Sequence, residues 1–214
     1  MINLSQIQKI IPGFIQIENP DGLQLPEYWM QIFRSEDTIR KKSIFIEKFV
    51  EVSGDKLSNS LSYLSKCDIE FILFNSNIGV GLLLVIDNKQ DIQYRVLLTP
   101  IDIQSEIFSL INNVDLSNFY SFLGNGFVDP QTLSMGLYPI KYVKPLSQLI
   151  EESDLQDIDS SLNYIFFSNG ASGYLCYDSK NYCGLIFWTD DSPDYPVEFW
   201  NVLDEWILIG LSEE

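Results

Sequence analysis

The chain has 214 residues, of which 46% are hydrophobic and 14% aromatic, a composition that excludes a disordered chain and fits one large domain or two small ones. It carries 30 acidic and 13 basic residues and no histidine, which gives a formal net charge of −17. This negative charge argues against binding to nucleic acid or anionic lipid, and the missing imidazole excludes histidine-dependent catalytic triads and metal sites.

Neither a membrane span nor a secretory leader is evident. The longest apolar run, residues 78–86, has the length of a strand rather than the roughly 18 residues of a spanning helix. Residues 1–20 lack the basic and apolar regions of a signal peptide. Three cysteines are too few for a disulfide framework, although Cys176 and Cys183 flank a turn and could face each other across a hairpin. We expect a cytoplasmic protein that does not bind membranes.

The N-terminal half begins with helical spacing of apolar residues that Pro12 and Gly13 interrupt, which predicts a short first helix. Pro26 followed by Glu27 predicts the start of a second helix. Residues 38–56 fit either a helix or a strand with a basic edge. Strand-length runs separated by turn residues then predict an antiparallel meander: DIEFILFNS, IGVGLLLVIDNK and DIQYRVLLTP.

In the C-terminal half, residues 102–113 predict a helix, and residues 115–123 predict another that ends at the glycines of GNG. Residues 138–156 suggest an extended segment leading into a helix. Three more strands and a closing helix follow: SLNYIFFSNG, SGYLCYDSKN, YCGLIFWTDD and DYPVEFWNVLDEWILIGL. Because strands and helices fall in separate blocks, we predict an α+β fold with an antiparallel sheet and helices packed on one side of it.

The charge is divided unevenly along the chain. Residues 1–107 hold 14 acidic and 10 basic residues, whereas residues 108–214 hold 16 acidic and 3 basic residues. This shift predicts an N-terminal α+β region of unknown role, residues 1–107, and a C-terminal domain, residues 108–214. Such an acidic surface attracts basic proteins and speeds their encounter, although charge that only maintains solubility is the alternative. The acidic stretch 151–161 is either a solvated helix end or a partner-facing patch. Asp204 and Glu205 in the closing helix are expected to add acid to the surface.

The most distinctive acidic segment is WTDDSPDYP, which places Asp190, Asp191 and Asp194 between Trp188 and Tyr195. Three interpretations are open: a solvated turn stiffened by prolines, a partner-binding loop, or a cation site. The loop lacks the ligand spacing, glycine and closing glutamate of an EF-hand. We expect no metal in it.

Motifs for catalysis are also lacking. The GNG at residues 124–126 follows a helix rather than a strand, and no lysine comes after it, so it does not fit a phosphate-binding loop. Paired carboxylates can hydrolyse glycosides, but no pair stands out among the 30 acidic residues. We therefore expect no enzymatic activity and no cofactor, with a metal-dependent enzyme as the remaining alternative.

Residues 116–211 resemble the SUKH superfamily, the cell-wall-assembly-regulator-like immunity fold. The resemblance rests on five features in order: a helix ending in an NG loop, an extended proline-containing segment before a helix, two strands around a glycine-bearing turn, a strand followed by an acidic loop, and a closing aromatic helix. The corresponding segments are DLSNFYSFLGNGF, GLYPIKYVKPLSQL, LNYIFFSNGASGYLCYDS, GLIFWTDDSPDYP and EFWNVLDEWILIGL. The N-terminal half departs from the family pattern.

The resemblance implies binding rather than chemistry. Many bacterial members look like immunity proteins, which neutralise a cognate toxin by binding to it, and other members are adaptors or scaffolds. We therefore expect an immunity protein whose acidic surface binds a basic toxin domain, with a non-catalytic adaptor that has no toxin partner as the alternative. The residues expected to contact the toxin are Trp188, Asp190, Asp191, Asp194, Tyr195 and Glu198.

Overall fold

The computed structural model describes residues 4–102, 106–150 and 158–212, and gives residues 106 and 107 as helical backbone. The N-terminal half contains, in order, α1 (Leu4–Ile10), β1 (Ile15–Gln16), α2 (Glu27–Arg34), α3 (Thr38–Ser53), α4 (Ser58–Lys66), β2 (Asp68–Ser76), β3 (Gly79–Asp87) and β4 (Ile92–Leu98). The predicted meander is confirmed as β2–β4, and the ambiguous segment after residue 38 is the helix α3.

The C-terminal half contains α5 (Glu106–Ile111), α6 (Val114–Asn118), a π-helical turn (Phe119–Leu123), β5 (Asn125–Val128), β6 (Gly136–Leu137), β7 (Lys144–Pro145), β8 (Asn163–Ser168), β9 (Gly173–Asp178), β10 (Cys183–Trp188), β11 (Asp194–Val197) and α7 (Phe199–Ser212). Short 3-10 helices at Ile140–Tyr142 and Leu146–Gln148 flank β7. Of the extended segment and helix expected over 138–156, residues 138–150 contain β7 and these 3-10 helices, and positions 151–157 lie outside the described residues.

All strand pairs are antiparallel, and the strands form one sheet in the order β1-β2-β3-β4-β5-β6-β8-β9-β10-β11, with β7 paired to β8. The predicted α+β fold is therefore confirmed. The halves of the chain meet where β4 pairs with β5, with Val96 opposite Val128 and Leu98 opposite Asn125.

The two faces of the sheet belong to different clusters of buried residues, because side chains alternate along each strand. In β2, Ile69, Phe71 and Leu73 lie in the main core, to which α2, α3, α4 and α7 contribute. Ile72 and Phe74 lie on the other face, where α1 packs. The prediction that helices pack on one side of the sheet is therefore confirmed for α2–α4 and α7. It is wrong for α1, which covers part of the opposite face.

The main core crosses the boundary between the two halves. The ring of Phe49 in α3 lies 6.0 Å from that of Phe119 and 5.9 Å from that of Phe127, measured between centroids. Arg95 in β4 is 1% exposed and donates to the carbonyl oxygens of Tyr94 and of Gly210 in α7. The division of the chain into domains at residue 107 stays a prediction, and within the described residues the sheet and core span that boundary.

Helix ends follow local chemistry. Asp37 caps α3 by accepting the backbone N–H of Ile39 at 2.9 Å, and α3 stops at Gly54, whose φ of 60° suits glycine.

The free thiols of the β9–β10 hairpin do not face each other, because Cys176 lies opposite Leu185 and Cys183 opposite Asp178. Within the described ranges, no helix is long and apolar enough to cross a membrane.

Candidate functional site

The acidic loop lies at the end of the sheet, between its last two strands. Trp188 ends β10, Asp194 and Tyr195 begin β11, and Glu198 directly precedes α7. The pairing of β10 with β11 is irregular, with Asp194 opposite Ile186 and Val197 opposite Gly184. All six residues predicted to bind a partner thus lie in one segment of the chain, from the end of β10 to the residue before α7.

Trp188 is held in place by a hydrogen bond from its indole nitrogen and by a contact between its ring and that of Trp206. Its Nε1–H donates to Oδ2 of Asp194 at 2.8 Å, which ties the two ends of the loop together. The ring centroid lies 5.8 Å from that of Trp206 in α7, which in turn lies 5.4 Å from that of Phe167 in β8. Trp188 therefore connects the exposed loop to the main core, against which both tryptophans pack.

Tyr195 is fixed by a buried carboxylate. Its hydroxyl donates to Oδ2 of Asp178 at 2.8 Å and accepts from Nδ2 of Asn181 at 2.8 Å. Burial and the hydrogen bond to Asp178 raise the pKa of Tyr195 to about 12. The ring therefore stays neutral at physiological pH, and its orientation is set by the turn between β9 and β10.

Asp178 is 3% exposed and organises that turn. Its Oδ1 accepts the backbone N–H groups of Lys180 and Asn181 at 2.8 and 2.9 Å. Burial opposes ionisation, but hydrogen bonds from Asn181, Tyr195 and Lys180 favour the carboxylate, so the pKa of Asp178 is lowered. The loop thus rests on a charged group that stays ionised.

The other four predicted residues present carboxylates to solvent. Asp190, Asp191, Asp194 and Glu198 are exposed, and none takes part in an ion pair between described residues. Glu198 Oε2 accepts the backbone N–H of Asn201 at 2.7 Å, which caps α7. A basic surface could therefore approach these carboxylates without displacing a salt bridge.

Sequence reasoning missed two supports of the loop and misplaced one acid. Asp178 and Asn181 were not singled out, although an aspartate at the start of a polar turn is a signal for an Asx turn. Asp204 was expected on the acidic surface, which is wrong: it is 3% exposed and bonded to Ser60. Glu205 beside it is exposed, as expected.

The four carboxylates of the loop lie on the protein surface. Two cavities of about 600 and 820 Å³ lie elsewhere, and neither is lined by a residue of the loop. Within the part of the chain that the structure describes, no group of three or more Asp, Glu, Cys or His side chains is arranged to hold a metal ion.

Comparisons with known proteins leave the family unassigned. No family model matches the chain, and neither curated proteins nor solved structures give a significant match.

Proposed function

We propose that this protein is a bacterial immunity protein of the SUKH type, which acts in the cytoplasm by binding a basic toxin domain, without catalysis or a cofactor. The observation that carries the proposal is the acidic loop itself. Four exposed carboxylates without ion pairs to described residues flank an indole and a phenol that are both hydrogen-bonded in place. Tryptophan and tyrosine are enriched in binding hot spots, and exposed charges beside them steer an oppositely charged partner.

The charge of the C-terminal half supports the same proposal. Its 16 acidic and 3 basic residues produce a negative field that accelerates encounter with a positively charged partner. Toxins that cleave nucleic acid tend to be basic, because they bind phosphate. The order of elements in residues 116–211, which resembles the SUKH superfamily, adds the expectation that the partner is a toxin.

The direct test is protection. An immunity gene directly follows its toxin gene, so the product of the gene immediately upstream is expressed under an inducible promoter, with and without this protein. We expect growth to stop when the upstream product is made alone and to recover when both are made. Growth arrest that this protein does not relieve contradicts the immunity proposal.

The surface is tested with a pair of charge-matched variants. One carries Asp190→Asn, Asp191→Asn, Asp194→Asn and Glu198→Gln. The control neutralises four exposed acids of the N-terminal half: Glu18, Asp21, Glu36 and Asp55. Tagged proteins are used to capture partners from the host lysate at about 50 mM and about 300 mM salt.

We expect the wild type and the control to retain one basic protein at low salt, and the loop variant to lose it. Higher salt should release that protein, because the Debye length falls below the reach of exposed charges. Equal capture by both variants contradicts the assignment of the loop as the interface. A neutral, multi-subunit set of partners favours an adaptor instead.

A further inference from the structure

A groove of about 820 Å³ lies on the opposite end of the sheet from the acidic loop, between α3, the start of β2, the end of β3 and the start of β4. Its lining includes two of the most exposed aliphatic side chains of the protein, Ile39 at 76% and Ile92 at 49%. Ile46 and Tyr94, both partly buried, continue this apolar lining. Apolar side chains gathered in a groove indicate a binding surface rather than scattered exposure.

One side of the groove is the edge of β2, where Ile69 and Phe71 are 5% and 9% exposed. β1 pairs with β2 only at Phe74 and Asn75, so among the described residues no strand lies beside Asp68–Ile72 on the side away from β3. Ile17 donates its backbone N–H to the carbonyl oxygen of Leu73 on this side. Because backbone groups alternate along a strand, those of Ile69 and Phe71 point to this same side, where no strand of the described residues pairs with them.

The rim of the groove is acidic. Four acidic residues line it against a single lysine, Lys42: Glu47, which pairs with Arg40 at 3.6 Å, and Asp68, Glu70 and Asp87. The Nζ of Lys42 donates to the carbonyl oxygen of Cys67 at 2.6 Å, which directs this charge towards the backbone. The groove therefore complements a segment that carries aliphatic and basic side chains together.

We propose that the groove binds an extended segment of a partner protein that contains both aliphatic and basic residues, and that this segment adds to the edge of β2 as a new strand. Main-chain hydrogen bonds to Ile69 and Phe71 provide affinity, and the apolar and acidic lining selects the side chains. A second copy of this chain fits less well, because the carboxylates of Asp68 and Glu70 would then face their own copies. The inference does not depend on the immunity proposal.

The first experiment uses a synthetic peptide of alternating lysine and valine as the probe and follows backbone amide signals by NMR. We expect saturable shifts at Asp68–Ile72 and slower hydrogen exchange of the amides of Ile69 and Phe71. A peptide of the same sequence with N-methylated backbone amides cannot pair with the edge and should not bind there. The addition of a strand is overturned if both peptides bind equally, or if neither shifts these residues.

A matched pair of variants tests the lining. Ile39→Lys places a positive charge in the groove, whereas Ile209→Lys makes the same change at another exposed isoleucine, on α7. We expect the first to weaken peptide binding about tenfold and the second to leave it unchanged. An equal loss of affinity in both variants would show that the peptide is attracted only by the net charge of the protein, and would overturn the proposed site. Concentration-dependent dimers that Ile39→Lys abolishes would assign the groove to a second copy and overturn the heterologous partner.

Discussion

Asp204 in the closing helix caps the N-terminus of α4 through Ser60, which is 144 positions away in the chain. Its Oδ1 accepts the backbone N–H of Ser60 at 2.9 Å and the hydroxyl of Ser60 at 2.6 Å, and its Oδ2 accepts the N–H of Asn59 at 2.9 Å. Orphan N–H groups of a helix start are normally satisfied by a residue next to them in sequence. Here a distant carboxylate does so, which joins α7 to the N-terminal half.

The first prediction is that Asp204→Asn destabilises the protein by about 2 kcal/mol, because an amide NH₂ then faces a buried N–H donor. Urea unfolding followed by circular dichroism measures the change. Glu205→Gln, an isosteric loss of one charge at the neighbouring exposed position, should shift the midpoint very little. If both variants lost similar free energy of unfolding, the effect would come from the charge of the helix rather than from the cap of α4.

Gly210 illustrates how packing can oppose helix propensity. Alanine favours a helix over glycine by about 1 kcal/mol. A Cβ at this position would lie 2.7 Å from Cβ of Met135 and 3.1 Å from Nη2 of Arg95, which donates to the Gly210 carbonyl oxygen. We expect Gly210→Ala to destabilise the protein by about 1–3 kcal/mol through overpacking. Asn201→Ala, at an exposed position of α7, is the control and should stabilise slightly; a stabilising Gly210→Ala would contradict the packing argument.

The buried carboxylate under the loop predicts a pH dependence. The pKa of Asp178 is lowered, since its hydrogen bonds outweigh the effect of burial. The ionised Asp178 carboxylate therefore contributes its full stabilisation to the folded protein above the unfolded-state pKa of about 3.9. That contribution is lost as the pH falls through the pKa of Asp178 in the folded protein. We expect Asp178→Asn to lower the free energy of unfolding at pH 7, with the difference from wild type shrinking below about pH 4. Unfolding curves between pH 3 and 7 test this, with exposed Asp190→Asn as control; a constant difference contradicts the linkage.

The regular elements were predictable where a local signal is strong. β2–β4 follow from apolar runs and turn residues, and α2 follows from Pro26 and Glu27. The two-residue strands β1, β6 and β7 are too short to show any period, and they exist because longer strands provide partners. The burial of Asp204 depends on where α4 lies, which no pattern within α7 can indicate.

The acidic loop was predictable as a segment, but its supports were not. Trp188 and Asp194 are six positions apart, so their hydrogen bond depends on how β10 turns into β11. The contact of Tyr195 with Asp178 spans the β9–β10 hairpin and requires the register of both strands. The sequence therefore identified the charged and aromatic residues of the loop. Which of their side chains are held by hydrogen bonds depends on how the strands pair.

The bond between Trp188 and Asp194 gives the last prediction, on the order of the loop. Asp194→Ala removes the acceptor of the indole N–H, so the ring should keep its contact with Trp206 but lose its hydrogen bond across the loop. We expect the indole N–H signal of Trp188 to shift and its hydrogen exchange to accelerate, measured by ¹H–¹⁵N NMR. Asp191→Ala removes an equal charge from the same loop without touching the indole and should leave that signal in place. Unchanged exchange in Asp194→Ala would show that ring packing alone holds the tryptophan, and the loop would then owe its order to the core rather than to its own carboxylates.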